Sequence, residues 1–236
     1  MRKTVSVVRS AVQKYDMIQN GDRIAVGVSG GKDSVLLLAA LAELRRFYPQ
    51  KFEIEAITLD PRFNDKDGDY TQIKELCRRL SVHYTVLPTD LWKIVFEIRK
   101  EKNPCSLCSK MRKGSLNDAA KRLGCNKIAL GHHLDDAAET FFMNLFNGGN
   151  IGCFSPVSYL SRKDIYMIRP LIFLTENEVI NAVKRLNLPI VKSKCPSDGY
   201  TERQRTKDLL KELEQRYPNI KQKVISAMQR SQISKW

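Results

Sequence analysis

Apolar residues near the start of the chain recur every three or four positions, and after them short apolar runs alternate with longer helical stretches. One helical face carries the apolar side chains from Val5 to Ile18, which predicts an amphipathic helix over about residues 4–20. Short apolar runs bounded by turn residues then predict strands at about 23–28, 52–60, 83–87, 127–132 and 166–171. Further helical patterns lie at about 35–44, 70–81, 90–100, 107–123, 135–147 and 175–187.

Strands separated by helices in this way predict an α/β fold with a doubly wound parallel sheet. Residues 61–69 carry many turn-forming residues and predict a mobile loop. Residues from about 201 to 232 predict two polar helices and give no strand signal. We therefore expect a main domain over residues 1–190 and a small helical segment over residues 191–236.

The first strand runs into a glycine turn, Ser29-Gly30-Gly31-Lys32-Asp33-Ser34, which opens a strongly helical stretch. Strand, glycine turn and helix together aim backbone N–H groups and a positive helix end at an anion. The glycines let a phosphate approach, Ser29 and Ser34 add hydroxyl donors, and Lys32 adds a positive charge. The spacing fits neither a Walker A loop nor the dinucleotide fingerprint. An ordinary strand-to-helix turn is the alternative, but the complete hexapeptide favours phosphate binding.

A second strand end, Gly131-His132-His133, opens a helix that carries two adjacent carboxylates, Asp135 and Asp136. Acids at a helix start often only cap it. Beside a phosphate loop they suit Mg²⁺, together with Asp33. Adjacent histidines on an extended chain point apart, so zinc is not expected there. Asp60 ends another strand, where open sheets bind ligands, and we place it with Gly131 in an ATP site.

Two cysteines, Cys105 and Cys108, lie at the predicted start of a basic helix, and Cys195 lies in a later loop. The helix N-terminus and nearby cations are expected to lower the pKa of the first two thiols. A lone Cys-x-x-Cys fits a redox dithiol, half a zinc site or part of an iron–sulfur site, and no second one follows. The remaining cysteines are expected to be structural; they are Cys77, Cys125 and Cys153.

The chain is strongly basic, with 40 Lys and Arg against 26 Asp and Glu and a formal charge of +14. This balance favours a polyanionic partner, nucleic acid first, although a merely basic enzyme is the alternative. Basic residues near the cysteine segments are candidate RNA contacts: Arg112, Lys113, Lys121, Arg122, Arg203, Arg205 and Lys207. No apolar run reaches the ~18–20 residues of a membrane helix, so we expect no membrane partner and a cytoplasmic location.

The hexapeptide at residues 29–34 resembles the pyrophosphate loop of the ATP pyrophosphatase superfamily, which has a Rossmann-like fold. Gly-His-His-x-Asp-Asp at residues 131–136 resembles a motif shared by the tRNA-modifying branch of this superfamily. Pro-Cys-Ser-Leu-Cys, and Cys195 followed by Thr201-Glu202-Arg203-Gln204-Arg205, resemble the tRNA 2-thiocytidine synthetase family. The resemblance implies a doubly wound fold, ATP and Mg²⁺ as cofactors, and a 4Fe-4S cluster on three cysteines: Cys105, Cys108 and Cys195.

The same resemblance implies adenylation of a pyrimidine 2-oxygen in tRNA, with cytidine the expected base, followed by replacement of that oxygen by sulfur. Asp33 and Asp136 are then catalytic, with the three cysteines. A cysteine desulfurase or free sulfide is the expected sulfur donor, and a homodimer is one option for assembly. Asp198 stands where familiar members often carry a second late cysteine, which leaves one iron open unless Asp198 itself binds it. The alternatives are a ligase of the lysidine synthetase type, a 2-thiouridine synthetase and a non-enzymatic RNA-binding protein.

Overall fold

Six strands form one sheet in the order β3-β2-β1-β4-β6-β5. The structure is a computed structural model that describes residues 1–100, 104–192, 195–196 and 202–236. The strands are β1 Asp22–Gly27, β2 Phe52–Asp60, β3 His83–Pro88, β4 Lys127–Ala129, β5 Val157–Leu160 and β6 Ile165–Ile168. The helices are α1 Arg2–Lys14, α2 Lys32–Arg45, α3 Thr71–Arg79, α4 Pro104–Arg122, α5 Leu134–Gly148, α6 Glu176–Arg185, α7 Glu202–Arg216 and α8 Ile220–Arg230.

Strand pairing confirms the doubly wound fold, because β1 pairs in parallel with both β2 and β4. One face of the sheet is covered by α2, which is buried from Ser34 to Ala42 and packs against α1 and α6. The other face is covered by α4, whose Leu116 and Ala119 join Ile57 and Ile128 in a separate apolar cluster. The loops after β1 and β4 leave neighbouring strands at their carboxyl ends, where open α/β sheets bind ligands, and a crevice lies at this position.

The structure corrects several predicted bounds. α1 ends at Lys14 and not near residue 20, because Asp16 takes a positive φ of 48° and the chain leaves the helix there. The predicted helix at 90–100 is a short π-helix, Lys93–Ile98. β5 was not predicted: it pairs antiparallel with β6 across a tight turn in which Asp164 has a φ of 46°. The sheet is therefore mixed at one edge.

The last helices are not isolated from the main core. α7 and α8 both pack on α5. Ile225, Met228 and Trp236 belong to the same buried cluster as α1 and α2. The domain boundary near residue 190 stays a prediction. Within the described ranges no helix has the length and apolarity needed to cross a lipid bilayer.

Candidate active site

The phosphate loop is held by its own serines. The Ser34 hydroxyl donates to the Gly31 carbonyl at 3.0 Å, and it accepts from the Ser29 backbone N–H at 3.1 Å. Gly30 has a φ of +84°, and a Cβ there would lie 2.8 Å from the Cβ of Val191. Only glycine can both take this φ without strain and leave room for the Val191 side chain. The loop therefore presents the start of α2, with its positive dipole end, to the crevice.

Lys32 adds a fixed positive charge at this helix start. Its ammonium lies 3.2 Å from Asp33 and 3.3 Å from Glu176. Burial lowers the pKa of Lys32, but these two carboxylates outweigh burial and raise the pKa overall. Lys32 is therefore protonated at neutral pH and can balance the charge of a bound phosphate.

The Gly131 turn touches the phosphate loop directly. A Cβ on Gly131 would lie 2.9 Å from the Asp33 carbonyl carbon and 3.0 Å from the Ser34 nitrogen. Both atoms belong to the backbone, so no side-chain rotation could relieve the clash. The absence of a side chain at Gly131 lets the turns after β1 and β4 form one continuous wall.

His133 connects the carboxylates of the two turns, a role that sequence reasoning missed. Its backbone N–H donates to Asp136 Oδ2 at 2.9 Å, and its Nδ1 accepts from the Asp136 N–H at 3.4 Å, which caps α5. His133 Nε2 lies 3.6 Å from Asp33 Oδ1 and 3.5 Å from Asp136 Oδ2. The buried imidazole thus lies beside both carboxylates, while Asp33 Oδ1 itself has no hydrogen-bond partner. The residue type alone indicated only that His133 could cap a helix or bind a metal.

Asp135 does not share this position, and the prediction of a Mg²⁺ ligand there is corrected. Its Oδ1 lies 2.6 Å from the ammonium of Lys221, and its Oδ2 accepts from the Glu176 N–H at 2.7 Å. The carboxylate therefore caps α6 and pairs with α8. Asp33 and Asp136 are the acids of this group that line the pocket.

Asp60 organises the loop that follows β2. Its carboxylate accepts from the N–H groups of Arg62 at 3.0 Å and Gly68 at 2.8 Å, and from the Tyr70 hydroxyl at 3.3 Å. Burial raises the pKa of Tyr70 first, and Asp60 raises it further. Asp60 lines a second compartment of about 530 Å³ next to the phosphate loop.

All three predicted cluster cysteines line one pocket of about 570 Å³, together with Ser29, Asp33 and Asp136. Because α4 begins at Pro104, three residues earlier than predicted, Cys105 and Cys108 share its first turns. The pKa of Cys108 is raised, not lowered as expected: burial is the largest cause, and the attraction of Arg112 only partly opposes it. The thiols of Cys195 and Cys105 are near enough to raise it further.

The donor set fits a multi-iron cluster better than a single ion. No three His, Cys, Asp or Glu side chains in the described part of the chain converge tightly enough to hold one metal ion. A cluster binds each thiolate at a separate iron, so its ligands need not converge on one point. Asp198, the predicted neighbour of the open iron, lies outside the described residues.

The predicted RNA contacts fall into three groups. Arg112 and Lys113 line the pocket. Arg203 instead lies 3.1 Å from Glu139 and 3.4 Å from Asp136, and Lys207 lies 2.6 Å from Glu176. The remaining three are on helix surfaces: Lys121 near Asp164, Arg205 paired with Glu202, and Arg122 exposed. Arg203 and Lys207 therefore neutralise carboxylates of the fold, and an RNA phosphate would have to displace those.

Sequence reasoning also missed Arg169 and Asn117, two buried polar residues of the pocket. Arg169 follows β6, and its guanidinium donates to the Ser155 carbonyl at 2.5 Å and the Ser158 hydroxyl at 3.3 Å. Asn117 lies on α4, beside Leu116. A charged residue at the end of an apolar strand was the available signal for Arg169. Asn117 gave none, since its burial depends on how α4 packs.

Comparison with known proteins identifies the family. The model of the PP-loop domain family matches residues 3–213. The tRNA-cytidine(32) 2-sulfurtransferase of Pelobacter propionicus is 38% identical over 230 residues, which cover 96% of this chain and 85% of that protein. The protein of the same name from Geobacter sulfurreducens is 37% identical, with 96% and 89% covered.

Solved structures agree with this family assignment. The U34-tRNA thiolase NcsA from Methanococcus maripaludis, solved with its 4Fe-4S cluster, superposes with a TM-score of 0.75 at 25% identity. The match covers 96% of this chain and 77% of that one. The NH3-dependent NAD synthetase from Campylobacter jejuni, at 16% identity and a TM-score of 0.50, shares the fold alone. This chain belongs to the PP-loop domain family and to its branch of tRNA-cytidine 2-sulfurtransferases.

Proposed function

We infer that this protein is an ATP-dependent tRNA sulfurtransferase that replaces the 2-oxygen of a cytidine with sulfur. One observation carries the inference: a single pocket brings together the phosphate loop, Asp136 and the thiols of Cys105, Cys108 and Cys195. Activation of an oxygen and delivery of sulfur need those two sets of groups at one place. The names of the similar curated proteins support tRNA as the substrate.

ATP binds with its phosphates on the loop from Ser29 to Ser34, where backbone N–H groups and Lys32 meet negative charge. Asp33 and Asp136, which both lie beside His133 Nε2, would bind Mg²⁺ on the phosphates. The pyrimidine 2-oxygen attacks the α-phosphorus, and pyrophosphate leaves. The positive charge of Lys32 and of the helix start stabilises the charge that develops on the phosphates.

The second step needs a sulfur nucleophile at the carbon that adenylation has activated, and AMP leaves with the former 2-oxygen. When bound to Cys105, Cys108 and Cys195, a 4Fe-4S cluster supplies the place from which sulfur is delivered. Arg112 contacts the Cys108 thiol and lowers its pKa against the effect of burial, which favours the thiolate that iron requires.

The remaining thiols suit a structural role. Burial raises the pKa of Cys77 and Cys125 to about 11 and that of Cys153 to about 12, so all three are protonated at neutral pH. Cys153 also donates to the Ala137 carbonyl at 3.3 Å. A cysteine desulfurase or free sulfide as donor, a cytoplasmic location and a homodimer stay predictions of the sequence.

The cysteines provide the test. Serine at Cys105, Cys108 or Cys195 should abolish the brown colour of anaerobically purified protein and thiolation of tRNA, while ATP binding persists. Cys77→Ser is the matched control, because Cys77 is buried in the core away from the pocket. Stoichiometric zinc without iron in the anaerobic protein, or normal thiolation by Cys195→Ser, would contradict the proposal.

Uridine thiolation is the second candidate, favoured by the structural likeness to the U34-tRNA thiolase. Mass spectrometry of tRNA nucleosides from cells lacking this protein separates the two. Loss of 2-thiocytidine supports the proposal, and loss of a 2-thiouridine supports the alternative.

A further inference from the structure

Unpartnered polar atoms concentrate in the pocket that carries the cysteines. In the described part of the chain, six buried side-chain nitrogen or oxygen atoms have no hydrogen-bond partner. Four of them belong to residues that line this pocket: Asp33 Oδ1, Asn117 Oδ1, His132 Nδ1 and Arg169 Nε. A buried polar atom without a partner costs stability, so such atoms are rare unless a ligand completes them. Their grouping points to a polar ligand.

Arg169 presents a donor that cannot be reversed. The side chain is held by Ser155 and Ser158, and its guanidinium carbon lies 4.7 Å from the centre of the Phe154 ring. Only Nε–H is left without a partner, in a residue that is 6% exposed. Arginine has donors and no acceptor. Any ligand atom facing Nε must therefore be an acceptor.

Asn117 presents an acceptor from another wall of the same pocket. It is 6% exposed, and its Oδ1 has no partner. Its neighbour Leu116 would lie 3.0 Å from a Cβ on Gly27, so α4 packs tightly on β1 at this point. The amide is therefore held close to the sheet, deeper in the crevice than the cysteines at the start of α4.

His132 adds no second cation beside Arg169. Burial, and then the charge of Arg169, lower the pKa of His132 to about 4. The ring is therefore neutral at physiological pH, and it stacks on Phe154 at 4.9 Å between ring centres. Apart from Arg112 and Lys113 on α4 near the cysteines, the pocket thus offers one buried cationic donor, Arg169, and one buried amide, Asn117, and this pair suits the polar edge of a neutral base.

We propose, on the basis of the tRNA thiolation inferred above, that Arg169 and Asn117 bind the Watson–Crick edge of the target base and select cytosine. Arg169 Nε–H donates to the cytosine N3, and Asn117 Oδ1, in the amide orientation of the structure, accepts from the 4-amino group. Uracil has the opposite hydrogen-bonding pattern at both positions, because its N3–H is a donor and its 4-oxygen is an acceptor. The 2-oxygen remains free for the α-phosphate.

Adenine is the competing occupant, because its N1 and 6-amino group repeat the same acceptor and donor pattern. The position of the cysteines favours the target base, since sulfur must reach the base that is modified. The second compartment offers adenine another place next to the phosphate loop. Its walls include Leu59, Tyr70 and Trp92. We therefore assign Asn117 and Arg169 to the tRNA base.

The test uses two tRNA transcripts that differ only by cytidine or uridine at the modified position. Asn117→Leu removes the acceptor at nearly constant volume and should fold, because it also removes an unpartnered buried atom. Its preference for cytidine over uridine should fall by about tenfold or more, as for the loss of one buried hydrogen bond. Arg169→Met should change the ratio in the same direction.

Asp118→Asn is the matched control, since Asp118 neighbours Asn117 on α4 but pairs with Lys163 outside the pocket. Binding of a non-hydrolysable ATP analogue is measured in parallel and should be unchanged in all variants. An unchanged base preference in Asn117→Leu, or weaker binding of the analogue with an unchanged preference, would overturn the assignment. If the wild type thiolates neither transcript, the proposed function itself fails.

Discussion

At the scale of single residues, we expect substitution of glycine by alanine to have opposite effects on stability at Gly131 and at Gly114. Gly131→Ala places a methyl group 2.9 Å from the backbone of Asp33, so the two turns must separate. We expect loss of stability by about 1–3 kcal/mol and weaker ATP binding. Gly114→Ala meets nothing within 4 Å inside α4 and should stabilise by up to about 1 kcal/mol. Urea unfolding and calorimetric ATP titration check both. Equal effects of the two substitutions would refute the steric argument.

His132 gives a prediction about pH. Its pKa falls to about 4 in the folded protein, from about 6.5 when unfolded, because of burial first and then Arg169. The unfolded chain therefore binds the proton more tightly, and stability falls as the pH drops from about 6.5 towards 4. At pH 5 this group should cost about 2 kcal/mol relative to pH 8. His132→Phe keeps the ring stacked on Phe154 and should lose that part of the acid sensitivity in denaturant titrations. A variant as acid-sensitive as the wild type would show that another group is responsible.

At the scale of elements, the sequence predicted those whose pattern is local. β2 matches its predicted range of 52–60, because its alternation and its bounding turn residues are all written in the chain. β5 was missed, since its four residues gain strand character only from pairing with β6. The phosphate loop was found from its hexapeptide. Asp135 was misplaced because adjacency in sequence does not reveal which acid faces α8.

The attachment of α7 to α5 gives an element-scale prediction. Arg203 of α7 pairs with Asp136 and Glu139 of α5 and donates to the Thr140 hydroxyl at 3.2 Å. Arg203→Gln should cost about 1–2 kcal/mol, because the side chain is 42% exposed and solvent screens the pairs. Arg205→Gln breaks an exposed pair with Glu202 and should change stability by less than about 0.5 kcal/mol.

The pH dependence of this variant tests its cause. Burial, and then Asp136, raise the pKa of Glu139, while Arg203 lowers it. Removing Arg203 therefore raises the pKa further, so the folded protein holds the proton more tightly than the unfolded chain. The deficit of Arg203→Gln should grow as the pH rises from 5 to 7.5 in urea titrations. A deficit independent of pH would point to lost packing instead.

At the scale of the whole molecule, the net charge of +14 predicts tRNA binding that weakens steeply with salt. Lys113→Glu at the pocket should lower affinity and reduce the slope of log K against log salt by about 1. Arg79→Glu makes the same change of net charge at the exposed end of α3, which precedes the start of β3, whereas the pocket lies at the carboxyl ends of the strands. That variant should keep the slope. Equal effects of Lys113→Glu and Arg79→Glu would mean that tRNA binding depends only on the total charge of the protein.

A backbone hydrogen bond between Gly30 and Val191 connects the phosphate loop with a residue close in sequence to Cys195. The Val191 N–H donates to the Gly30 carbonyl at 3.0 Å, four residues before Cys195. A nucleotide that fixes the loop at Gly30 therefore restrains the chain leading to Cys195. If iron binds at Cys195 as proposed, thermodynamic reciprocity requires that it change the affinity for ATP by the same factor as ATP changes the affinity for iron. We then expect nucleotide-free and nucleotide-loaded apoprotein to differ in how readily each takes up iron.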